Sequence, residues 1–333
     1  MVSDRHKHVW ASLGLMVLAI IWGTQFLVIK LGQITLPPLM TAALRFAVLT
    51  VAAQCAVFVT GATAPPQERI RRISFGIVQA VSFGVLYWAE GRIPSAIAGV
   101  LTATNPLIVA LLAHRYMTGE RLTPMRGAAL MLGFAGVSMI VLGTQSAVGS
   151  LESIAVLAIL IGELAAATNK VLAKQLTAVV PAPVLLRDMG LVVTVLIGLA
   201  SLCFERHLPV KFTPGSVIAF AYLGLVASFA ASALYLLLLR RYTVTAMAYL
   251  QFAIATVAAV TGVVLGGERF GISLAAGVIA VLGGLFFLSK TAADDASAAP
   301  HRPSPEEAAI RIDENGQLLK QAGDRRVEIE VAE

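Results

Sequence analysis

Long apolar stretches separated by short polar links dominate the chain. Residues 9–29 and 271–289 each approach the ~20 residues that a helix needs to cross a hydrocarbon core of ~30 Å. Links such as residues 33–36 and 91–92 are so short that neighbouring helices are expected to run antiparallel. Charged, proline and glycine positions divide the pattern into ten predicted spans, near residues 9–30, 37–60, 73–91, 94–118, 124–143, 151–175, 182–204, 214–239, 243–267 and 271–290. The pattern therefore predicts an all-α membrane protein with ten transmembrane helices.

Composition and charge agree with lipid as the solvent. Hydrophobic residues make up 58% of the 333 positions and charged residues 13%, whereas a soluble domain carries about 25% charged residues. Twelve Lys and Arg residues fall in the segments that would face the cytoplasm if the N-terminus does, against five on the other side. This bias predicts a cell (inner) membrane protein with both termini in the cytoplasm. A basic excess of this kind gives no reason to expect a nucleic-acid partner.

The chain is expected to have four parts. Residues 1–8 are a short cytoplasmic N-terminus, and the apolar stretch after them is too long for a cleaved signal sequence. Residues 9–143 and 151–290 each hold five predicted spans. Residues 291–333 form an acidic tail, rich in Ala, Asp, Glu and Pro, whose composition predicts disorder.

Two short motifs recur in the two halves. Gly119-Glu120-Arg121 ends the fourth span, and Gly267-Glu268-Arg269 ends the ninth, 148 residues later. Leu44-Arg45 in the second span recurs as Leu186-Arg187 in the seventh, 142 residues later. Because five is an odd number, two repeats of five spans would enter the membrane from opposite sides. Inverted repeats of this kind are typical of alternating-access transporters, whose substrate site lies near the midplane.

Several motifs together resemble the EamA-type members of the drug/metabolite transporter superfamily. They are Ile21–Phe26 with Lys30–Gly32 in the first span, Pro37-Pro38 with Ala43–Phe46 in the second, and, most strongly, Leu86–Trp88, Pro106-Leu107, Gly119–Thr123, Gly127 and Gly136. The resemblance covers roughly residues 10–290. It implies a ten-helix, two-repeat carrier that exports amino acids, other metabolites or drugs, and aromatic amino-acid exporters are one branch. The family often has a proline in the ninth span where this chain has Phe252-Ala253-Ile254, so no proline is present there to bend that helix.

Ionisable residues inside predicted spans are the first candidates for a transport site, since charge inside a membrane is costly. Glu163 lies about eleven residues into the sixth span, close to mid-membrane at 1.5 Å per residue. It would bind a substrate amine, couple transport to protons, or serve a structural role as a neutral or Arg-paired group. Arg45 and Arg187 occupy related positions in the two repeats, and they would attract an anionic substrate, hold gates shut by charge pairing, or reach the headgroups. Arg187 precedes Asp188, but adjacent side chains diverge on a helix, so other partners are expected for both.

Polar and aromatic residues in spans one, three, four and nine complete the predicted substrate site. Aromatic groups with a hydrogen-bonding edge suit a mostly apolar cavity with a few orienting contacts. An interfacial aromatic belt is the alternative for Tyr87 and Trp88, and core packing is the alternative for Trp22. Pro106 should bend the fourth span, either as a fixed kink or as a gate. The predicted substrate-binding residues are Trp22, Gln25, Tyr87, Trp88, Asn105, Glu163, Tyr249 and Gln251.

Sequence motifs for catalysis are absent: the chain has no nucleotide-binding glycine loop, no His-Glu-x-x-His and no Gly-x-Ser-x-Gly. We therefore expect no enzyme activity, no cofactor and no metal site. The predicted function is secondary transport of a small-molecule substrate, with amino-acid export favoured by the resemblance and protons as a candidate coupling ion. The alternative is a membrane scaffold or receptor whose acidic tail recruits a cytoplasmic partner.

Overall fold

The computed structural model describes residues 2–90, 104–117, 123–142 and 150–266, the single positions 102, 276, 279, 280 and 283, and tail residues 310–312, 318–322 and 325–328. The chain divides into two compact units, residues 1–288 and 289–333. Most of the predicted tenth span, residues 271–290, therefore lies outside the described residues, and the total of ten spans stays a prediction.

Helices account for the described part of the first unit. Their bounds are α1 Val2–Gln33, α2 Pro38–Thr60, a 3₁₀ turn Pro66–Glu68, α3 Arg69–Glu90, α4 Asn105–Tyr116, α5 Pro124–Leu142, α6 Ser150–Leu176, α7 Ala182–Phe204, α8 Pro214–Tyr222, a π-helix Leu223–Ala230, α9 Ala231–Arg241, α10 Val244–Ala248 and α11 Leu250–Gly266. The segments α8, π-helix and α9 follow one another without a break and are called here the eighth-span helix. α10 and α11 together make the ninth span.

Five of these helices are long and apolar enough to cross a membrane. They are Leu13–Gln33, Pro38–Thr60, Pro66–Ala89, Ala182–Phe204 and Pro214–Arg241. Large apolar side chains on them point outward, such as Phe58 and Ile218, which are 86% and 69% exposed. Cys55 and Cys203 are also exposed. An apolar exterior of this kind suits contact with lipid and would be unfavourable in water.

Proline begins several of the helices, because its missing N–H is not needed in the first turn. Pro38 starts α2 and Pro214 starts α8, where Thr213 and Ser216 form a reciprocal capping box. Pro106 is likewise the second residue of α4, so it lies in a first turn and not in the middle of a described helix. Residues 91–101 and 103, which precede this start, lie outside the described residues, so the bend expected at Pro106 stays a prediction.

The ninth span is interrupted although it has no proline. α10 ends at Ala248 and α11 begins at Leu250, with Tyr249 in a turn between them. The Phe252 backbone N–H donates to the Tyr249 carbonyl over 3.0 Å. The ninth span is therefore not one continuous helix, although it lacks the proline that the family often has there.

The two halves pack through an antiparallel pair, α2 and α7. Gly190 and Gly198 of α7 face Leu49 and Ala43 of α2, so the residue numbers rise in opposite directions along the contact. At the end of the pair, the carboxylate of Glu205 accepts hydrogen bonds from the backbone N–H groups of Leu39 and Met40, over 2.9 and 3.1 Å. A carboxylate satisfies the free N–H groups of a helix N-terminus and stabilises its positive dipole end. Glu205 therefore fixes the start of α2 to the end of α7.

The described residues of the second unit form a sheet, whereas composition predicts a disordered tail. Strands β1 Ile310–Ile312, β2 Leu318–Ala322 and β3 Arg325–Glu328 pair antiparallel in the order β1-β2-β3. Asn315-Gly316 lies between the first two strands in sequence, and Gly323-Asp324 lies between the last two. Such pairs favour tight turns between antiparallel strands. These turn signals agree with the antiparallel order of the described strands, and disorder of the tail as a whole stays a prediction.

Candidate functional site

A cavity of about 230 Å³ lies among α1, α2, α3, α4, α6, α7, the eighth-span helix and the ninth span. Its apolar wall includes Phe46, Phe83, Leu186 and Met247. Polar and charged side chains from several helices reach the same space, among them Gln25, Arg45, Ser82, Asn105, Glu163 and Lys170. Mostly apolar walls with a few converging polar groups are typical of a small-molecule site.

Arg45 of α2 is the buried cation on one side of the cavity. Its side chain is 3% exposed. It donates from Nε to Ser228 Oγ over 2.5 Å, from Nη1 to Tyr87 Oη over 3.4 Å, and from Nη2 to Gln25 Oε1 over 2.8 Å. A guanidinium has five N–H groups, so one on each terminal nitrogen is left over after these bonds to described residues. A guanidinium can bind both oxygens of a carboxylate through two of its N–H groups.

Aromatic rings enclose this guanidinium. Its Cζ atom lies 5.3 Å from the centre of the Phe83 ring and 5.8 Å from that of Phe46. Phe83 in turn lies 6.2 Å from the ring of Tyr87, centre to centre. The faces of these rings attract a cation without neutralising it. In the part of the chain that the structure describes, the partners of the Arg45 guanidinium are therefore neutral.

Glu163 of α6 lies at another part of the cavity wall, beside Lys170 and Asn105. Its side chain is buried, and it interacts electrostatically with Lys170. The Asn105 side chain donates from Nδ2 to the Glu163 carbonyl oxygen over 3.1 Å and accepts through Oδ1 from the Lys170 ammonium group. Asn105 therefore holds the acidic and basic residues of α6 in one cluster.

Helical periodicity explains why α6 presents these groups together. Glu163, Ala166, Lys170 and Ala173 are separated by three, four and three residues, which places them on one face of a helix. Asn169, beside this face, donates from Nδ2 to the Phe75 carbonyl oxygen of α3 over 2.8 Å. α3 and α6 are thereby held together along the wall of the cavity.

The structure brings together most of the residues singled out from the sequence. Trp22, Gln25, Arg45, Tyr87, Asn105, Glu163 and Gln251 line the cavity. Trp22 donates from Nε1 to the Ala227 carbonyl oxygen of the π-helix over 2.9 Å. Tyr87 is 1% exposed and contacts Arg45, so the interfacial-belt alternative does not hold for it.

Four other predicted residues lie away from the described lining. Trp88 packs against a small cluster of Ala89, Ala155 and Ile159. The Tyr249 hydroxyl donates to the Arg126 carbonyl oxygen over 3.1 Å and joins the ninth span to α5. Pro106 is the second residue of α4, and Arg187 forms an ion pair with Asp188.

Arg187 pairs with its own neighbour. Its Nη2 lies 2.6 Å from Asp188 Oδ1, and Asp188 also pairs with Arg72 of α3. Asp188 thus has the expected partner on another helix, Arg72, whereas Arg187 contacts its neighbour Asp188 because its long side chain reaches around the helix. The cluster joins α3 to the start of α7.

Sequence reasoning missed several polar groups of the cavity. They include Gln79, Ser82, Asn169, Lys170, Ser228 and Ser232. Lys170 had a detectable signal, since it follows Glu163 by seven residues and so lies on the same helical face. Serines inside apolar spans give no such signal, because their hydroxyl groups can also donate to a backbone carbonyl oxygen of the preceding helical turn.

Comparison with known proteins agrees with this architecture. The family model of the EamA-like transporter family matches residues 9–142 and 153–290. Proteins of Escherichia coli K12 and O157:H7, each described as "Uncharacterized inner membrane transporter YedA", are 27% identical over 287 residues, which cover 83% of this chain and 92% of theirs. A solved structure described as "Crystal structure of protein" has a TM-score of 0.74 and 21% identity, covers 86% of this chain and 98% of its own, and supports the fold. Two consecutive matches to the family model thus cover most of the chain, which belongs to the EamA-like transporter family of membrane transporters.

Proposed function

We propose that the protein is a secondary carrier that exports a small carboxylate-bearing metabolite, an amino acid or a related compound, by alternating access. The observation that carries this proposal is Arg45, a buried guanidinium that faces the cavity with neutral partners among the described residues. A charge held in this way inside a membrane protein is costly unless a ligand uses it. A substrate carboxylate would supply the missing negative charge.

The rest of the cavity suits the remainder of an amino acid. Glu163 offers a carboxylate for an ammonium group, and the aromatic wall offers apolar surface for a side chain. The volume of about 230 Å³ is below the ~300–1,000 Å³ typical of pockets for drug-sized ligands. This size favours a metabolite over a bulky drug.

Helix packing supports alternating access by two inverted repeats, residues 9–143 and 151–290. If spans one to four correspond to spans six to nine, the major contacts between the halves occur in equivalent pairs. The contact of α3 with α6 is equivalent to that of the eighth-span helix with α1. The contact of α4 with α6 is equivalent to that of the ninth span with α1. α2 and α7, which correspond to each other, run antiparallel. Corresponding helices in opposite directions are what inverted topology requires.

The proposed location is the inner membrane, with both termini in the cytoplasm. The YedA proteins are described as inner membrane transporters, and the Lys and Arg bias gives the orientation. The alternative is a membrane scaffold or receptor that acts through its tail. Deletion of residues 292–333 distinguishes the two functions.

Purified protein in proteoliposomes tests the proposal. Counterflow of labelled aromatic, aliphatic and charged amino acids is compared with counterflow of sugars and cationic drugs. We expect saturable counterflow of at least one amino-acid class. The unlabelled amino acid should compete with the labelled one, whereas its carboxamide derivative should not, because Arg45 binds the carboxylate. Counterflow of sugars or cationic drugs alone would refute the substrate class, and no counterflow of any compound would refute the carrier.

A further inference from the structure

The charges that line the cavity do not balance. Its described acidic and basic residues are Arg45, Glu163 and Lys170, which give a formal charge of +1. Substrate recognition as proposed above uses the guanidinium and the carboxylate. Lys170 has no part in it.

We propose that Lys170 is a built-in counter-ion of Glu163. The ammonium group of the substrate replaces Lys170 during transport, and Lys170 returns to Glu163 when the carrier moves back empty. The inference rests on the proposed function, since it needs an amino-acid substrate. It assigns Lys170 to the return step of the cycle and not to direct substrate recognition.

Geometry supports this role. Lys170 lies seven residues after Glu163 on the same helical face, both side chains line the cavity, and the two groups interact electrostatically. Asn105 joins the two residues: its Oδ1 accepts from the Lys170 ammonium group, and its Nδ2 donates to the backbone carbonyl oxygen of Glu163. An ammonium group bound to an amide can move aside while it keeps one hydrogen bond.

Lys174, one turn further along α6, has a different role. Its ammonium group donates to the carbonyl oxygens of Leu239 and Tyr242, the latter over 2.6 Å, at the C-terminal end of α9. Cations at that position stabilise a helix end. Lys174 does not line the cavity and serves as a matched control.

The charge balance predicts which step needs Lys170. An amino-acid zwitterion has no net charge, so the cavity carries +1 both when loaded and when empty. Without Lys170, the loaded form still pairs Glu163 with the substrate ammonium group. The empty form would instead carry Glu163 without Lys170, the cation that interacts with it, while Arg45 stays bonded to Ser228, Tyr87 and Gln25 at another part of the wall. A carboxylate that has lost its neighbouring cation is unfavourable in the membrane interior. Exchange of substrate for substrate should survive this change, and net transport should not.

The test compares two transport modes in proteoliposomes, with an amino acid that the counterflow panel identifies. Exchange is measured with substrate on both sides, and net uptake with an empty lumen. In Lys170→Met we expect the ratio of net uptake to exchange to fall at least about tenfold, since only the empty return is slowed. Lys174→Met should leave the ratio unchanged, and Lys170→Arg should keep most of it.

Rescue by a second substitution makes the test specific. In the double variant Glu163→Gln with Lys170→Met, no lone carboxylate remains, so the ratio should return towards the wild-type value at a raised substrate concentration. Retained exchange shows that a variant is folded, and Lys170→Gln replaces Lys170→Met if the latter does not reach the membrane. An unchanged ratio in the lysine variant would overturn the inference, as would equal loss of exchange and net uptake in folded protein. Absence of wild-type exchange would instead refute the proposed function itself, and the inference with it.

Discussion

At the scale of single residues, the two arginines of the repeated Leu-Arg motif have different surroundings. Arg45 faces the cavity among Ser228, Tyr87 and Gln25, all of them neutral. Arg187 is paired with Asp188 outside the described lining. A paired arginine offers little to a substrate, whereas a buried arginine among neutral groups attracts an anion strongly.

Substitution of Arg45 should therefore strongly reduce transport, while substitution of Arg187 should not. We expect Arg45→Gln to lower counterflow of the identified amino acid by at least about tenfold, since a charge-assisted bidentate contact is stronger than a neutral one. Arg45→Lys should recover only part of it, because an ammonium group lacks the planar pair of donors. Arg187→Gln is the matched control, and an equal loss in both glutamine variants would contradict the assignment.

Glu163→Gln tests the carboxylate. The change keeps the shape of the side chain but removes its charge, so we expect a raised KM for amino acids and a smaller effect on carboxylic acids that lack the amine. If transport is coupled to protons through Glu163, its dependence on pH should also disappear. Unchanged KM values would exclude an amine contact, and an unchanged pH dependence of uptake would exclude proton coupling through this residue.

At the scale of elements, the π-helix and its glycine set the position of the Arg45 site. Gly224 of the π-helix packs directly on α2: a Cβ atom there would overlap the Val48 side chain and lie 2.8 Å from the Arg45 carbonyl oxygen. π-helical turns widen a helix and are frequent at functional sites. Here the π-helix carries both Ser228, bonded to Arg45, and Ala227, bonded to Trp22.

A larger residue at Gly224 should separate the eighth-span helix from α2. We expect Gly224→Val to destabilise the fold by about 1–3 kcal/mol, the usual cost of overpacking, and to weaken substrate binding through the displaced Ser228. The measurement is the apparent melting temperature in detergent, together with counterflow. Gly127→Ala provides the control, since a Cβ atom there has no neighbour within 4 Å and the change should be neutral or slightly stabilising. Equal melting temperatures for the two variants would contradict the close packing.

At the scale of the whole molecule, the transport unit and the tail are separate compact units. The cavity is built from residues between 22 and 254, and both matches to the family model end by residue 290. Nothing in the proposed transport cycle uses the tail sheet.

Deletion of residues 292–333 should therefore leave transport intact. We expect counterflow per reconstituted molecule to stay within about twofold of the full chain, since burial and contacts within each unit determine what a truncation disturbs. A matched sample of full-length protein, reconstituted at equal density, controls for yield. Loss of the cellular role together with retained counterflow would point to a tail-dependent partner, and loss of counterflow itself would give the tail a part in the carrier.

Sequence alone determined the membrane class, the family and the positions of the helices in the described part of the chain. It did so because the bilayer demands about 20 apolar residues per span, a constraint that is local and is read directly from the chain. It also indicated Arg45 and Glu163, since charge inside an apolar span is conspicuous. It did not foresee the tail sheet, because a composition average hides two-residue turn signals.

Tertiary structure alone decided which polar residues meet. Arg45 and Arg187 have the same sequence context, yet only the packing of α2 against α3 and the π-helix gives the first a place in the cavity, while Asp188 and Arg72 hold the second at the start of α7. Lys170 joined the site through Asn105 of another helix, a contact between residues 65 positions apart. Periodicity identifies which residues share one face of a helix. What that face contacts depends on how the neighbouring helices pack, and this is decided only in the tertiary structure.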